Sequence, residues 1–486
     1  MPVINGPTFT KATVARAQKI AVDSAGQYVT VGDIIDAAKA EIAAAGGTGT
    51  STGTGTSTGT GTTTTPPPAT VTGGTTRQAK QADAFVDSVG VNTHNYGPYD
   101  TQYDAVVRPA LRDLGIRHIR GYIGLWDDTY VARIKALRAD YGIKLQYTVG
   151  PNDCPAADAA AFARTNYGTG AASAVSAIEG VNEADGYFAT LPAAGSDWAV
   201  TAVNYQRDLW NASRDLGLPI VAATVINQPN ASRISGCAPY CDWGNIHPYP
   251  GGRNPETKGW GGAGPNGPAG HTYASLEYNM HNLGYVVKPN APMVVTETGY
   301  FNALTVDQGV TEAVAGKYIP RLFLKYFETG ILRTFSYELF NGGTDAANIE
   351  HNYGLLRADG SRKPAFTALM NLIAMLKDAG AAFTPGSLNY AVDNTSADVY
   401  SVLLQKRDGS FYLCLWLGTR IYNMDTHVDE PVTARSVTLR AGGGPWNTVQ
   451  IGRPNTAATW STAAGTATAG VPLTLDDAVT IVRLAA

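Results

Sequence analysis

Short runs of β-branched residues alternate with longer amphipathic stretches from about residue 82 onward. The longer stretches, such as 130–140 and 198–216, place apolar residues at three- and four-residue spacing, which predicts helices. Strands that alternate with helices are typical of βα units around a parallel sheet. Eight strand patterns occur, at 85–93, 116–123, 144–149, 177–182, 219–225, 244–248, 293–298 and 333–339. We therefore predict a (β/α)8 TIM barrel over residues 77–380.

The pattern changes after Gly380 to closely spaced strands with turn residues between them. Runs at 399–405 and 411–416 are separated by five residues that include an Asp-Gly pair, which favours a hairpin. We predict a small antiparallel β-sandwich over residues 381–486 that packs on the barrel, and a strand from just before residue 85 could join it. Its expected role is structural support rather than ligand binding of its own.

A low-complexity segment precedes the barrel. Residues 46–76 are nearly all Gly and Thr with three consecutive prolines, a composition that predicts a linker. Residues 1–45 are interpreted as two short helices, the second beginning near Thr30. So short a segment rarely forms a stable core alone, so we expect an anchor or assembly module that self-associates or docks on a partner. A disordered leader with nascent helix is the alternative.

Composition narrows the classes of partner. The formal net charge is −4 and charged residues make up 16% of the chain, so nothing indicates nucleic-acid binding and a neutral partner is favoured. No run of about 18 apolar residues predicts a membrane span. The N-terminus lacks the pattern of an ordinary secretion signal, which leaves an unconventional export route, assembly on a particle or a removed signal.

Four cysteines are present, and only Cys237 and Cys241 are close in sequence. A disulfide between them is plausible and would imply an oxidising compartment, while two unpaired thiols are the alternative. The chain has no paired cysteine knuckles, no His-x-x-x-His and no acidic calcium loop. We therefore expect no metal and no other cofactor.

Two glutamates close predicted strands of the barrel: Glu183 follows the fourth and Glu297 ends the seventh. Catalytic groups in such barrels project from the C-terminal ends of strands, and these two strands approach the same mouth from opposite sides. Retaining cleavage of a glycosidic bond needs one protonated carboxyl with a raised pKa and one ionised carboxylate, roughly 5–5.5 Å apart. The pair therefore indicates glycoside hydrolysis.

Several motifs within residues 82–380 resemble those of glycoside hydrolase clan A, particularly its family five and family thirty-nine type barrels. They are Arg120 on strand two, Asn182-Glu183 after strand four, His247 and Tyr249 after strand six, Glu297 on strand seven, and the phrase 353–366 before and within the last helix. Each motif is weak alone. Their order and their positions at strand ends are specific together.

The resemblance implies a role for each matching residue. Glu183 would be the acid/base, Glu297 the nucleophile, and Asn182 the side chain that holds the sugar 2-hydroxyl. Arg120 and Tyr249 match positions that orient the nucleophile, and a guanidinium near it would keep it ionised. The structural alternative for Arg120 is a buried partner of some other acid.

Neighbouring polar residues have weaker assignments. His247 would bond near the acid/base or line the cleft, with a satisfied core histidine as the alternative. Glu179 shares a face of strand four with Glu183, and we expect it to be a structural acid paired with Arg120. His94 is expected to line the mouth, together with Asn95.

Aromatic side chains could stack on sugar rings. Tyr337 or Phe340 is the candidate for the floor of the site, with Glu338 as a competing acid between them. The Gly-rich loop 251–271 carries Trp260 and is interpreted as a cleft wall or lid. Further candidates at the mouth, some of which will be core, are Tyr96, Tyr122, Trp126, Tyr187, Trp243 and Tyr300.

The sequence thus favours a retaining hydrolase of a β-linked polysaccharide or oligosaccharide, located outside the cell or on a cell or particle surface. A transglycosylase shares every catalytic residue. The remaining alternative is a carbohydrate-binding or particle-surface barrel that has lost catalysis, which a carboxyl separation beyond about 9 Å would favour.

Overall fold

A computed structural model describes residues 70–187 and 197–486, together with two short strands nearer the N-terminus. Those strands, Ala21–Val22 and Tyr28–Val29, pair with each other in antiparallel fashion. The predicted helices of residues 1–45 and most of the predicted linker lie outside the described residues. Thr75 and Thr76, the last two residues of that linker, lie in a strand of the C-terminal β domain.

Eight parallel strands form the barrel in sequence order, and strand eight pairs with strand one at Phe335 and Gly90. Strands five and six meet through a single parallel bridge between Val221 and Trp243, because strand five is only two residues long. The strands are Val89–Asn92, His118–Tyr122, Lys144–Thr148, Val175–Glu179, Ile220–Val221, Gly244–Ile246, Met293–Thr298 and Arg333–Ser336. The predicted barrel is confirmed.

Helices cover the outside of the barrel, and short polar caps start several of them. Asp127 accepts a hydrogen bond from Tyr130 N, and Thr311 accepts one from Val314 N, each satisfying an amide that the first turn leaves open. The α-helices are Ala82–Asp87, Pro98–Thr101, Arg108–Leu114, Asp128–Tyr141, Ala156–Tyr167, Ala184–Tyr187, Trp198–Ser213, Leu276–Asn279, Tyr285–Val287, Glu312–Thr329 and Pro364–Leu376. None of these described helices combines the length and apolar character that a bilayer crossing requires.

Three crossovers depart from regular α-helix. After strand five the chain forms a long 3₁₀ segment, Gln228–Tyr240, and π-type turns occur at Tyr103–Val107 and Met280–Gly284. Shorter 3₁₀ turns lie at Gly170–Ala172, Arg214–Leu216 and Ile349–His351. The first predicted strand also began too early, because residues 85–87 belong to the helix Ala82–Asp87 that precedes strand one.

The C-terminal domain is a sandwich of two sheets, as predicted. The four-stranded sheet contains Thr75–Gln78, Ser387–Asp393, Arg435–Ala441 and Val471–Leu475. The six-stranded sheet contains Lys80–Gln81, Val399–Gln405, Phe411–Leu417, Thr448–Arg453, Ala457–Thr462 and Thr480–Ala485. A two-stranded ribbon pairs Tyr422–Asn423 with Val428–Asp429. The strand expected from just before residue 85 is therefore found in this domain.

Strand Phe411–Leu417 shows how the sandwich joins the barrel. All seven of its residues are buried, although a strand with one solvated face would alternate. Leu413 and Leu415 pack in the core between the two sheets, whereas Cys414 and Trp416 pack in the core that continues into the barrel. The six-stranded sheet is thus the middle layer of the molecule.

All four cysteines are free and buried. The plausible disulfide is not formed, and the thiol of Cys241 donates a hydrogen bond to the carbonyl oxygen of Cys237 at 3.4 Å. The alternative of unpaired thiols holds, and the cysteines give no support to an oxidising compartment.

Candidate active site

The carboxyl ends of the barrel strands surround a cavity of about 370 Å³. Strand order places strands four and seven on different sides of it. Nine of the residues singled out from the sequence line this cavity, namely His94, Tyr96, Arg120, Tyr122, Asn182, Glu183, Tyr249, Glu297 and Tyr337.

Glu297 is the last but one residue of strand Met293–Thr298, and both of its carboxylate oxygens are held. Arg120 Nη1 donates to Oε1 at 2.8 Å, and the Tyr249 hydroxyl donates to Oε2 at 3.0 Å. The side chain is 12% exposed, so it reaches the cavity while remaining mostly out of water. Both predicted orienting groups therefore contact Glu297.

Arg120 uses all five of its N–H groups. Nε and Nη2 each donate to Glu179 at 2.8 Å, Nη1 donates to Asn92 and Glu297, and Nη2 donates to Asn182 Oδ1 at 2.7 Å. Burial disfavours the charged guanidinium, but Glu179 and Glu297 outweigh burial and raise the pKa of Arg120. It is a fixed cation beneath the cavity, and Glu179 is its structural partner as expected.

Glu183 follows strand Val175–Glu179 in an unusual backbone conformation. Its φ is 42°, a left-handed value that is strained for a residue with a side chain. Its N–H donates to Thr224 Oγ1 at 2.8 Å, which helps to fix the turn. Strain of this kind concentrates at functional sites, and here it accompanies a carboxyl that lines the cavity.

His247 joins Glu183 to a chain of buried polar groups. The Thr296 hydroxyl donates to Asn245 Oδ1 at 2.8 Å, so its oxygen must accept from His247 Nε2, which lies 2.8 Å away. His247 Nδ1 lies 2.8 Å from Glu183 Oε1. With Nε2 committed as a donor, the hydrogen bond between Nδ1 and Oε1 contains one proton, which the imidazole and the carboxyl share.

Electrostatics place that proton on the imidazole. Burial raises the pKa of Glu183, but the hydrogen bond and charge of His247 outweigh burial and lower it. Burial lowers the pKa of His247, but Glu297 and Glu183 outweigh burial and raise it. A raised pKa was expected for the acid/base, whereas the pKa of Glu183 is lowered, because the neighbouring imidazole stabilises the carboxylate.

The two glutamates are close together. One carboxylate oxygen of each and a nitrogen of His247 all lie within 4.8 Å of one another. Groups at this spacing could also ligate a metal ion, but the Arg120 guanidinium 2.8 Å from Glu297 would repel a cation. These two carboxylate oxygens are therefore nearer to each other than the roughly 9 Å carboxyl separation that would favour an inactive barrel or an inverting site.

The first and eighth strands supply one side of the cavity. Tyr337 and His94 line it, whereas Phe340 is fully buried and is excluded as the floor. Glu338 does not reach the described cavity lining, because its carboxylate is paired with His94 Nε2 at 2.9 Å and with the Tyr99 hydroxyl at 2.8 Å. Of the two aromatic candidates for the floor, Tyr337 is therefore the one that lines the cavity.

Trp260 is absent from the described lining of the cavity. Its ring lies over the Arg253 guanidinium at 3.8 Å and against Tyr273 at 5.5 Å. The loop 251–271 is anchored on the C-terminal domain, since Asn254 Nδ2 donates to Gly418 O at 2.9 Å. No residue of this loop is among the described residues that line the cavity, so the structure gives no support to its interpretation as a cleft wall.

The remaining aromatic candidates divide into rim and core. Tyr96 and Tyr122 line the cavity, and Trp126, 85% exposed, borders a neighbouring depression that both tyrosines also line. Tyr300 is buried, with its hydroxyl bonded to the carbonyl of Arg253, and Trp243 packs at the base of the barrel. The side chain of Tyr187 is outside the described residues.

Three titratable lining residues were not among the predicted site residues. Asp153 and Glu350 lie in loops after strands three and eight, and burial raises the pKa of both carboxyls. The Tyr337 hydroxyl donates to Glu350 at 2.9 Å. Tyr353 packs edge-on against Tyr337 and Tyr249, and only its place in the phrase 353–366 could have indicated it.

Comparison with known proteins identifies similar structures rather than similar sequences. No family model matches the chain, and no curated protein matches it. A family 39 glycoside hydrolase from Bacteroides cellulosilyticus WH2 is 17% identical with a TM-score of 0.56, covering 83% of this chain and 82% of that one. A glucosidase from Croceicoccus marinus is 11% identical with a TM-score of 0.54, covering 84% and 97%.

A third similar structure is CelM2, a bifunctional glucanase-xylanase from a metagenome library, 11% identical with a TM-score of 0.50 over 86% of this chain and 98% of that one. The fold is that of clan A glycoside hydrolases. The predicted resemblance to clan A is thus confirmed for the barrel and the β domain together. Clan A barrels share architecture at such low identity, so the activity must be argued from the site itself.

Proposed function

We propose that the protein is a retaining glycoside hydrolase that cleaves β-linked oligosaccharides or polysaccharides by double displacement. The observation that carries the proposal is the pair Glu183 and Glu297, which come from strands four and seven with carboxylate oxygens within 4.8 Å across one cavity. Their surroundings differ as the two roles require. Glu297 contacts a fixed cation, and Glu183 contacts a group that carries an exchangeable proton.

In the first step, Glu297 attacks the anomeric carbon and the glycosidic C–O bond breaks. Arg120 and Tyr249 hold the attacking carboxylate and fix which lone pair faces the sugar. Asn182 Oδ1 accepts from Arg120, so its amide Nδ2 is the group that would bind the sugar 2-hydroxyl. Attack and positioning thus depend on the same guanidinium.

Glu183 must protonate the leaving oxygen, although its pKa is lowered in the free protein. A bound sugar excludes water and disfavours the charged carboxylate, so the shared proton moves from His247 Nδ1 to Glu183 Oε1 across 2.8 Å. Glu183 then gives this proton to the leaving oxygen. In the second step, Glu183 takes a proton from the water that attacks the glycosyl-enzyme, and Glu297 is released.

The charges around the cavity favour a neutral sugar. Arg120 is the only lysine or arginine among the described lining residues, and its N–H groups are all in use. Asp153 and Glu350 add two carboxyls to the catalytic pair. An anionic sugar would find no free cation, so we infer that uronic acids and sulfated sugars are poor substrates.

Product stereochemistry and three variants test the proposal. On a neutral β-glycan that the wild type cleaves, Glu297→Gln should lose roughly 10³-fold or more in kcat, and Glu183→Ala should regain turnover with azide. Glu328→Gln, on the surface helix Glu312–Thr329, is the matched control and should keep full activity. NMR of the first product should show the β anomer.

If the first product is the α anomer, the mechanism is inverting and the proposed retaining mechanism is wrong. Full activity of Glu297→Gln would remove the assignment of the nucleophile altogether. Transfer to added acceptor sugars in preference to water would identify a transglycosylase that uses the same residues.

We also propose that residues 1–45 attach the enzyme to a second copy or to a partner, and that it works outside the cell or on a cell or particle surface. The support is the Gly/Thr composition of residues 46–76, which suits a tether. Light scattering of the full chain and of a variant without residues 1–45 tests self-association. If the full chain and the shortened variant contain the same number of chains per particle, self-association through residues 1–45 is contradicted.

A further inference from the structure

The barrel has a second cavity at the end opposite the active site, which we call the floor cavity. It is lined where the strands begin, since His118, Lys144 and Arg333 are the first residues of strands two, three and eight. Its volume is about 380 Å³, and its other charged lining residues are Asp87 and Arg117. No catalytic residue of the proposed mechanism lines it.

Arg333 is buried in the wall of the floor cavity with few partners. Its side chain is 9% exposed, and among the described residues its one hydrogen bond is from Nη1 to Ser176 Oγ at 3.4 Å. Its Nε has no partner. The carboxylate of Asp87 is 3.9 Å from Nη2, which is beyond hydrogen-bond distance. A buried guanidinium in this state is costly, because its lost hydration is not replaced.

The other deeply buried arginines of the described residues, Arg120 and Arg321, are satisfied. Arg120 makes five hydrogen bonds, all of them to carboxylate or amide oxygens. Arg321 makes four, of which two are to Glu256. Arg333 differs in lacking an acceptor for most of its N–H groups within residues 70–187 and 197–486.

The floor cavity also has an excess of positive charge. Its described lining holds three permanent cations, Arg117, Lys144 and Arg333, against the single carboxylate of Asp87. Arg117 is already paired with both carboxylate oxygens of Asp83, at 2.9 and 2.6 Å, so the excess comes from Lys144 and Arg333. The Asp87 carboxylate is shared, because His118 Nε2 is 3.2 Å from it and Arg117 is 3.6 Å from it.

The pKa values around the floor cavity agree with this excess. Burial lowers the pKa of Arg333 to about 10, and burial together with the charge of Arg333 lowers the pKa of His118 to about 4. Burial, Arg138 and Arg333 lower the pKa of Lys144. Each direction is the one expected where negative charge is scarce.

We propose that the floor cavity binds a tetrahedral oxyanion of the phosphate or sulfate class, with Arg333 as its main ligand and Lys144 as its second. Such an anion offers several acceptor oxygens at once, which suits the open fork of Arg333 and the ammonium of Lys144. Lys144 Nζ donates to Ala171 O at 3.0 Å, which leaves its other protons for a ligand. The bound anion would stabilise the folded barrel by mass action.

Inorganic phosphate and sulfate, titrated into the full-length protein, provide the test. Thermal unfolding should shift upward with saturation in either salt, and not in sodium chloride at the same ionic strength. Isothermal titration calorimetry with phosphate should give the same dissociation constant. Arg333→Met and Lys144→Met should each weaken binding about ten-fold or more, since each removes a charge-assisted hydrogen bond.

Arg440→Met is the matched control, because it removes the same charge from an ion pair with Asp393 in the C-terminal domain. It should bind phosphate as the wild type does. Lys144→Met keeps the experiment informative if Arg333→Met does not fold. An equal shift in sodium chloride, no shift at all, or unchanged binding in the Lys144 variant would overturn the proposal.

Discussion

At the scale of single residues, Arg120 joins Glu297 to Asn182, which precedes Glu183 in the sequence. A lysine at this position would keep the charge but has three donors on one atom, so it cannot hold Glu179, Glu297 and Asn182 together. We expect Arg120→Lys to lower kcat/KM by about 10²-fold or more and to lower the melting temperature, because charged partners lose hydrogen bonds worth ~1.5–3 kcal/mol each.

Steady-state kinetics and thermal unfolding measure both effects. Arg112→Lys is the control, since that arginine is 55% exposed and pairs with Asp113 at the surface. Activity within a few-fold of the wild type in Arg120→Lys would show that the guanidinium geometry is dispensable.

The contact between His247 and Glu183 gives a pH dependence of stability. The pKa of His247 is raised above 6.5 in the folded protein, so its contribution is complete below pH 6.5 and is lost as pH rises through the folded value. The pKa of Glu183 is lowered below 4.5, so its contribution is complete above pH 4.5 and is lost on acidification. The contact therefore stabilises most between these two values.

Urea unfolding of the wild type and His247→Gln across pH 4 to 9 tests this dependence. The difference in unfolding free energy between the two proteins should be largest between pH 4.5 and 6.5. A difference that stays constant over the whole range would mean that His247 is neutral and packs without charge.

The position of a site residue in the fold decides whether the sequence could predict it. Glu183, Glu297 and Arg120 sit on or directly after strands, and a strand pattern fixes which end of the barrel such residues reach. Glu350 and Trp260 lie in loops, where position depends on tertiary contacts that the sequence pattern does not encode. The loop that carries Trp260 packs on the C-terminal domain, and the segment that carries Glu350 lines the cavity.

At the scale of elements, the last two helices pack so closely that one position requires glycine. Gly316 is buried in helix Glu312–Thr329, and a Cβ there would be 2.8 Å from the Cβ of Pro364, the first residue of helix Pro364–Leu376. Alanine would gain about 1 kcal/mol of helix propensity but would cost ~1–3 kcal/mol in overpacking. The rigid proline ring cannot move aside.

We expect Gly316→Ala to destabilise the protein by about 1 kcal/mol in urea unfolding. Gly262→Ala provides the comparison, because nothing lies within 4 Å of its added Cβ, and its stability should be close to that of the wild type. Equal stability of both variants would show that the helices separate freely.

The type of an element, helix or strand, was predictable where the spacing of apolar residues had a single clear period. The strand at 293–298 was predicted with its observed bounds, because β-branched residues are buried on both faces there. The pattern at 85–93 merged two elements, because the apolar residues Phe85 and Val86 that face the core from a short helix continue directly into a buried strand. Periodicity cannot separate two buried elements without a turn residue between them.

At the scale of the whole molecule, a buried ion pair joins the barrel to the sandwich. Glu256, from the long loop after strand six, accepts from Arg321 Nε at 3.0 Å and from Trp416 Nε1 at 2.7 Å. Arg321 and Glu256 are almost fully buried. The Arg321 charge therefore depends on one carboxylate for its compensation.

Glu256→Gln should destabilise the protein by about 3–5 kcal/mol, because it leaves the Arg321 guanidinium buried without a counter-charge. Glu430→Gln breaks the exposed pair with Arg420 and should cost about 1 kcal/mol or less. Calorimetric unfolding measures both, and similar losses in the two variants would contradict a special role for the junction.

Strand Thr75–Gln78 precedes the barrel, yet its partner in the sheet is Ser387–Asp393. During synthesis at about 5–20 residues per second, it must wait for roughly 300 further residues, a delay of about 15–60 s, before that partner leaves the ribosome. All four of its residues are exposed even in the finished sheet, and its sequence, Thr-Thr-Arg-Gln, is wholly polar. A polar edge strand is a poor template for aggregation, so this strand can remain unpaired in the nascent chain with little risk of aggregation.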